Sequence, residues 1–513
     1  MSQTAAPQTP EPITKLRTGI PGFDTIAEGG IPRGRTTLIA GTAGSAKTVF
    51  ATHFLASGIR EEGEAGVFIT FEDTPEDIRR NVLGFGWDIA AWEREGKWAF
   101  VDAALRADDQ ATVVGDYDLG ALLARVEHAV KRTGAKRVSM DSVNALFARF
   151  SDHGTLRAEL YRISAGLKEL GATTVVTAER IDEYGVVSRY GVEEFVADNV
   201  LILRNLLQEE KRRRTVEILK FRGTSHQRGE FPFTVSTDRG ITVLPLSALE
   251  LTQSSSDTRI TSGLPELDGM VGGGYFRDSV ILLSGATGTG KTLTVTHFVD
   301  GGYRAGERSL LFAFEESREQ LARNARGWGV DFDRMVDEGM LRVVPVYPHA
   351  MPIEDHLLRM RDTIDEFRPN RVIVDSLSAL ERVTSLRSFR EFIINLTSFI
   401  KHHEIAGMFT STASKLSGGD SVTEKHISTL TDTILLLRYV ESGGELRRGI
   451  IVLKMRGSPH EKNIREFTID ESGMHVGTPF RGISGILTGA VSHDTEDGTG
   501  DDPRAGWEDR DAE

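Results

Sequence analysis

The sequence predicts an α/β fold: two tandem domains, each a mainly parallel sheet flanked by helices. Three observations carry this expectation. Leu16 to Thr48 aligns without gaps on Ile260 to Thr292, with 11 of 33 positions identical. Each copy closes on a glycine-rich phosphate loop preceded by an apolar run, and downstream of each loop short apolar runs alternate with amphipathic stretches. A repeat of this length corresponds to two whole domains rather than to a solenoid.

Taken in order, residues 1–13 read as a disordered opening and 14–246 as the first domain. Its phosphate loop is Gly41-Thr42-Ala43-Gly44-Ser45-Ala46-Lys47-Thr48. Ala46 stands where the second loop has Gly290, and a helical backbone there would accommodate its Cβ. Val67 to Phe71 reads as a buried strand ending in Glu72-Asp73, Tyr117 to Thr133 as an amphipathic helix, and Arg137 to Asp141 as an apolar strand followed by Ser142. The run Val216 to Leu219 leads into Lys220-Phe221-Arg222-Gly223. Residues i and i+2 of a strand share a face, so Lys220 and Arg222 are expected to leave it together.

Residues 247–259, with Gln253-Ser254-Ser255-Ser256, read as the linker, and 260–488 as the second domain. Here every motif returns: the strand Val280 to Leu283, the loop Gly285-Ala286-Thr287-Gly288-Thr289-Gly290-Lys291-Thr292, and a helix over Thr292 to Gly301. Leu310 to Phe314 precedes Glu315-Glu316, Ile353 to Phe367 reads as a helix, Arg371 to Asp375 as a strand, and Lys454-Met455-Arg456-Gly457 closes the set. The end, 489–513, reads as an acidic disordered tail.

Composition narrows the class. No apolar run approaches the ~20 residues of a membrane span, and the start lacks the basic-then-apolar plan of a signal peptide; a cytoplasmic protein without membrane contact is expected. The absence of cysteine excludes disulfides, thiolate metal sites and thiol catalysis. A net charge of −14 argues against a surface dominated by DNA binding.

The motifs define nucleotide chemistry. In a GxxxxGK[ST] loop the backbone N–H groups cradle phosphates, the lysine (Lys47, Lys291) reaches the β and γ oxygens, and the hydroxyl of Thr48 or Thr292 takes a Mg²⁺ position. Asp141 and Asp375, ending apolar strands downstream, fit the second metal-side carboxylate. Glu72-Asp73 and Glu315-Glu316 are the candidates for the group that accepts a proton from the attacking oxygen, with like-charge repulsion raising its pKa. Lys220 with Arg222, and Lys454 with Arg456, are candidate cationic fingers for a neighbouring subunit's γ-phosphate.

The halves differ at one place. Glu194-Phe195 of the first aligns with Ser428-Thr429 of the second, inside the hydroxyl-rich Ser421 to Thr433. Beside a phosphate loop such hydroxyls are candidate phosphoryl acceptors, since phosphoryl transfer differs from hydrolysis mainly in which oxygen attacks.

Together with His426-Ile427-Ser428-Thr429, the duplicated loops, paired carboxylates and Lys-x-Arg-Gly motifs resemble the KaiC family of circadian-clock ATPases and autokinases, over about Thr14 to Leu487. The resemblance implies RecA-like P-loop NTPase domains, CI and CII, stacked as two rings of a homohexamer with ATP between neighbours. CI would hydrolyse ATP, while CII would phosphorylate Ser428 and Thr429 across the subunit interface, with Thr423 as a third site, and return phosphate to ADP. Glu315 would act as base and metal-proximal carboxylate, assisted by Glu316; Glu72 and Asp73 would serve CI. Lys220, Phe221, Arg222, Thr224 and His226 would line the CI nucleotide across the interface. Arg448, Lys454, Met455, Arg456 and Ser458 would do so in CII, where Trp328 would meet the base.

A KaiB-like partner on CI and output signalling proteins follow from the same resemblance. The acidic tail departs from the family's KaiA-recruiting end and puts a KaiA-like partner in question, and Asp73 replaces the family's usual second glutamate. Two other readings use the same loops: a DNA-dependent recombinase or helicase, which needs a basic or aromatic channel, and a nucleotide-gated scaffold without turnover.

Overall fold

The computed structural model describes residues 13–103, 119–147, 153–189, 197–208, 210–245, 255–412, 427–442, 444–481, 483–484 and 492–493. The opening, most of the linker and nearly all of the tail lie outside the described residues. The chain divides into two compact units, Met1–Glu250 and Leu251–Glu513.

The first unit holds a nine-stranded sheet: β1 (Thr36–Gly41), β2 (Gly66–Thr70), β3 (Trp98–Asp102), β4 (Arg137–Asp141), β5 (Thr173–Glu179), β6 (Asn199–Gln208), β7 (Lys211–Phe221), β8 (Glu230–Ser236) and β9 (Gly240–Val243). Their spatial order is β3-β2-β4-β5-β1-β6-β7-β8-β9. The six strands from β3 to β6 are parallel, and the last three continue as antiparallel hairpins. A parallel sheet needs cover on both faces, which is why its strands are continuous apolar runs. In β1, Ile39 joins the core around the helix α1 (Lys47–Glu61), whereas Leu38 and Ala40 join that of α2 (Leu119–Thr133) and α3 (His153–Glu169).

The second unit repeats the design with β10 (Val280–Gly285), β11 (Ser309–Ala313), β12 (Leu341–Pro345), β13 (Arg371–Asp375), β14 (Ala406–Thr412), β15 (Thr433–Ser442), β16 (Glu445–Met455), β17 (Arg465–Asp470) and β18 (Gly473–Pro479). The order β12-β11-β13-β14-β10-β15-β16-β17-β18 matches that of the first unit position for position. Its main helices are α4 (Lys291–Arg304), α5 (Ile353–Phe367) and α6 (Leu386–His402). Among the described residues, no helix is long and apolar enough to cross a membrane.

Two buried devices, each present in both units, hold the helix after the phosphate loop in place. Arg371, fully buried on β13, donates to Glu307 (2.8 Å) and to the carbonyls of Phe298 on α4 (2.8 Å) and Thr261 (2.8 Å). Arg137 on β4 repeats this with Glu64 (2.8 Å) and the carbonyl of Phe54 on α1 (3.0 Å). The second device is a histidine that accepts a backbone N–H from the last hairpin: His53 from Ile241 (3.2 Å) and His297 from Met474 (3.0 Å). Both imidazoles must therefore be unprotonated at that nitrogen.

Three expectations are corrected. β2 and β11 stop before Phe71 and Phe314, so the paired carboxylates stand in the loops beyond the strands. β7 and β16 end at Phe221 and Met455, so Arg222 and Arg456 lie in turns; register shifts at Leu219 and Leu453 also break the strand alternation. Ala46 is in the left-handed region, at φ 72°, rather than helical.

Candidate functional site

Each phosphate loop follows the central strand β1 or β10 and opens the helix α1 or α4, at the carboxyl edge of the sheet, where open α/β folds bind ligands. Gly44 (φ 74°) and Gly288 (φ 80°) turn the two loops through backbone conformations that L side chains seldom adopt. Lys291 is folded back on its own loop, donating to the carbonyls of Gly285 (2.8 Å) and Ala286 (2.9 Å). Lys47 does the same with Gly41 (3.0 Å) and Thr42 (2.9 Å). Burial lowers the pKa of both lysines, opposed by nearby carboxylates. A phosphate group arriving at either loop would replace those carbonyls as acceptor.

The strand-end aspartates stand as expected beside the loop hydroxyls. Thr292 donates to Asp375 at 3.2 Å and Thr48 to Asp141 at 2.7 Å. A second threonine holds the other oxygen of each carboxylate: Thr410 on β14 donates to Asp375 at 2.5 Å, and Thr177 on β5 donates to Asp141. Burial raises the pKa of both aspartates, and these hydroxyl donors oppose it. Among the described residues no three His, Cys, Asp or Glu side chains form a metal cage. A hydroxyl and a carboxylate side by side nevertheless fit Mg²⁺, which prefers oxygen ligands and retains waters and phosphate oxygens in such sites.

The paired carboxylates divide in character. Ser376 donates to Glu315 at 2.9 Å, as Ser142 does to Glu72 at 3.0 Å, and Arg382 donates to the other oxygen of Glu315. Glu316 is half-buried, with a distant donor in Asn324 (3.4 Å). Its pKa is raised by burial first, then by Asp375 and only then by Glu315, so the neighbour effect inferred from sequence is the smallest of the three. A cleft of about 410 Å³ gathers Lys291, Thr292, Glu315, Glu316, Asp375, Trp328 and Ile469. Trp328 lines this cleft while packing partly against the core.

Lys454 donates to the carbonyls of Ser428 (2.6 Å) and Thr431 (2.7 Å), and Arg456 to that of Thr429 (2.7 Å). In the first unit Lys220 donates to the carbonyl of Ala197 at 3.2 Å, and Arg222 lies 4.0 Å from Asp198. Within one chain, then, these cations hold the backbone of the segment that carries Ser428 and Thr429. Phe221 and Met455 are buried in the cores of their own domains. His226 packs edge-on to Phe221, Ser458 accepts from Arg259 (2.7 Å), and Arg448 lies against the ring of Tyr439. Thr224 is half-buried. Thr423, Glu194 and Phe195 lie outside the described residues.

Sequence reading missed the two threonines on the aspartates, the two serines on the glutamates and the two buried arginine pairs. Identity between the halves, at Thr177 and Thr410 or Ser142 and Ser376, was the available signal.

Two phosphate loops on sheets of identical order, each with a buried strand-end aspartate and a following pair of carboxylates, define a tandem RecA-like P-loop NTPase. The family described as the KaiC ATPase matches the chain twice, over residues 16–248 and 260–480, and the chain belongs to that family. It is 64% identical to a circadian clock protein KaiC3 of Synechocystis sp. over 482 residues, 94% of this chain and 95% of the relative. It is 52% identical to circadian clock oscillator proteins KaiC of Prochlorococcus marinus and Synechococcus elongatus, over 94% of this chain and 97% and 93% of theirs. Family membership makes ATP the nucleotide of these loops.

Proposed function

We propose that the chain is a KaiC-like ATPase and Ser/Thr autokinase of a timing system, acting as a cytoplasmic homohexamer. CI (14–246) hydrolyses ATP. CII (260–488) phosphorylates Ser428 and Thr429 of the adjacent subunit, with Thr423 as a third site, and passes phosphate back to ADP. The observation that carries this reading is the tie of Lys454 and Arg456 to the backbone of Ser428, Thr429 and Thr431, which fixes an acceptor segment to the same cations proposed to meet a neighbour's γ-phosphate. The clock names of relatives with 52 to 64% identity support the timing role. A KaiB-like partner on CI and output signalling proteins are part of the reading; a KaiA-like partner is not, given the divergent acidic tail.

In CII the hydroxyl oxygen of Ser428 or Thr429 attacks the γ-phosphorus, its proton passes to the Glu315-Glu316 pair, and ADP leaves. Ser376 and Arg382 orient Glu315, and Glu316, whose pKa burial raises above the ordinary glutamate value, is a stronger base than a glutamate in its ordinary form. Thr292 and Asp375, like Thr48 and Asp141 in CI, would hold Mg²⁺, which would neutralise charge on the transferring phosphoryl group. Trp328 is proposed to face the base.

Incubation with γ-labelled ATP and Mg²⁺ should label the Ser428-Thr429 peptide. Ser428→Ala/Thr429→Ala should remove that label while ADP release from CI continues; label that persists elsewhere in the double variant refutes the acceptor assignment.

A further inference from the structure

Among the described residues, the two phosphate loops are held by different contacts. In CI the chain leaving β5 folds as a loop, residues 180–189, alongside the phosphate loop. The N–H of Arg180 donates to the carbonyl of Gly41 at 3.0 Å, and the N–H of Arg189 returns to that of Glu179 at 3.0 Å. At its centre the Glu183 carboxylate accepts from the Thr42 hydroxyl (2.7 Å), the second residue of the phosphate loop, and from the N–H of Asn205 (3.0 Å) on β6.

This loop has its own scaffold. Buried Arg204 donates to the carbonyl of Glu183 (3.0 Å) and to Glu217 on β7 (2.6 Å), and lies 3.3 Å from Glu230 on β8. The Tyr184 ring covers its guanidinium at 4.8 Å. Arg180, also buried, donates to the carbonyl of Gly185 at 3.3 Å.

CII keeps the central arginine, Arg438 standing for Arg204, but differs in what surrounds it. Ala286 stands for Thr42, Tyr439 for Asn205, Ile451 for Glu217 and Ile464 for Glu230. Its loop is steadied by the Tyr439 hydroxyl, 3.4 Å from the carbonyl of Thr287. CI also bears a cost that CII does not: left-handed Ala46, where Gly290 adopts the same region without steric penalty.

We propose that Glu183 is a positioning residue of CI, holding the phosphate loop in its phosphate-ready shape through Thr42 and so setting the affinity of this domain for ATP. Glu183 acts by geometry: it fixes the side chain of Thr42, whose neighbours present the N–H groups that phosphates take. A loop fixed beforehand loses less entropy when it binds. The inference rests on the proposed ATP turnover by CI.

The test uses the full-length protein carrying Lys291→Ala, which confines turnover to CI, with ADP release followed against ATP concentration. Glu183→Ala should raise the KM about five- to tenfold with kcat within about twofold, the signature of lost binding rather than lost chemistry. Thr42→Val, which keeps the side-chain shape without the hydroxyl, should give the same shift, and the double variant no more than either alone. Glu183→Gln should recover most of the affinity, since its amide can bond both partners. An unchanged KM in Glu183→Ala and Thr42→Val, additive shifts, or Glu183→Gln matching Glu183→Ala overturns the assignment. If the Lys291→Ala parent itself releases no ADP, the failure belongs to the proposed CI turnover.

Discussion

The ammonium of Lys454 lies 2.6 Å from the carbonyl oxygen of Ser428 and 2.7 Å from that of Thr431, bridging two carbonyls of the segment that carries Ser428 and Thr429 from the end of strand β16. Burial lowers its pKa, with the nearby Arg456 charge acting in the same direction. The bridge ties the position of the proposed acceptors to the position of the cation. Lys454→Met keeps the stem and removes the charge, and should lower label on Ser428 and Thr429 at least about tenfold. Phosphopeptide mass spectrometry after a fixed incubation reads this directly.

The raised pKa of Glu316 predicts an acid limb in phosphorylation. A carboxyl that must be ionised to accept a proton loses activity as pH falls through its pKa, and here that limb lies above the ordinary glutamate value of 4.5. Initial rates of labelling between pH 5 and 8 should fall on the acid side, and Glu316→Gln should remove both the limb and most of the rate.

The buried pair in CII gives a stability prediction. Glu307→Ala would leave the guanidinium of Arg371 buried without its carboxylate, which costs about 3–5 kcal/mol. Replacing both partners by apolar residues, Arg371→Met with Glu307→Leu, should recover much of that loss. Chemical unfolding of the three proteins would rank them, and equal instability of the single and double variants would contradict this account.

His53 is packed on Trp87, with ring centroids 4.8 Å apart, and burial, aided by Arg60, pushes its pKa down to about 3. Below the ordinary value of 6.5 the unfolded chain takes up a proton that the folded chain refuses. Stability is therefore fully present above pH 6.5 and declines toward pH 3, by up to about 1.4 kcal/mol per pH unit. His53→Gln can still accept the N–H of Ile241, so it should flatten this part of the slope. Urea midpoints at pH 7, 6 and 5 would show it.

How much was legible followed from what was local. The apolar strands, the phosphate loops and the helix Ile353–Phe367 are written in short stretches, and the mainly parallel character of the sheets was implied by alternating strands and helices; their strand order was not. The loop at 180–189 was not, because its meaning lies in contacts with Thr42, Asn205 and Arg204, brought together by three strands. The direction of Lys454 was misread because a strand pattern was extended through an irregular register and into a turn, where side-chain alternation ceases. Ala46 was misread because helix starts are usually taken as right-handed, whereas the residue before the loop lysine, Ala46 or Gly290, is left-handed in both domains.

The closing hairpins of the two sheets act as gauges for what can stand at that left-handed position. A Cβ added to Gly290 would meet Ile469 at 3.3 Å and Met474 at 3.4 Å, both on β17 and β18. In CI the corresponding residues are Val235 and Ile241, and Ala46 and the shorter Val235 pack against the same core. The loop and the hairpin of each nucleotide module are thus fitted to one another. A phosphate loop moved from the first domain into the second would set the Cβ of its alanine against Ile469 and Met474, side chains almost two hundred residues away along the chain, and Ile469 would have to yield by a few tenths of an ångström.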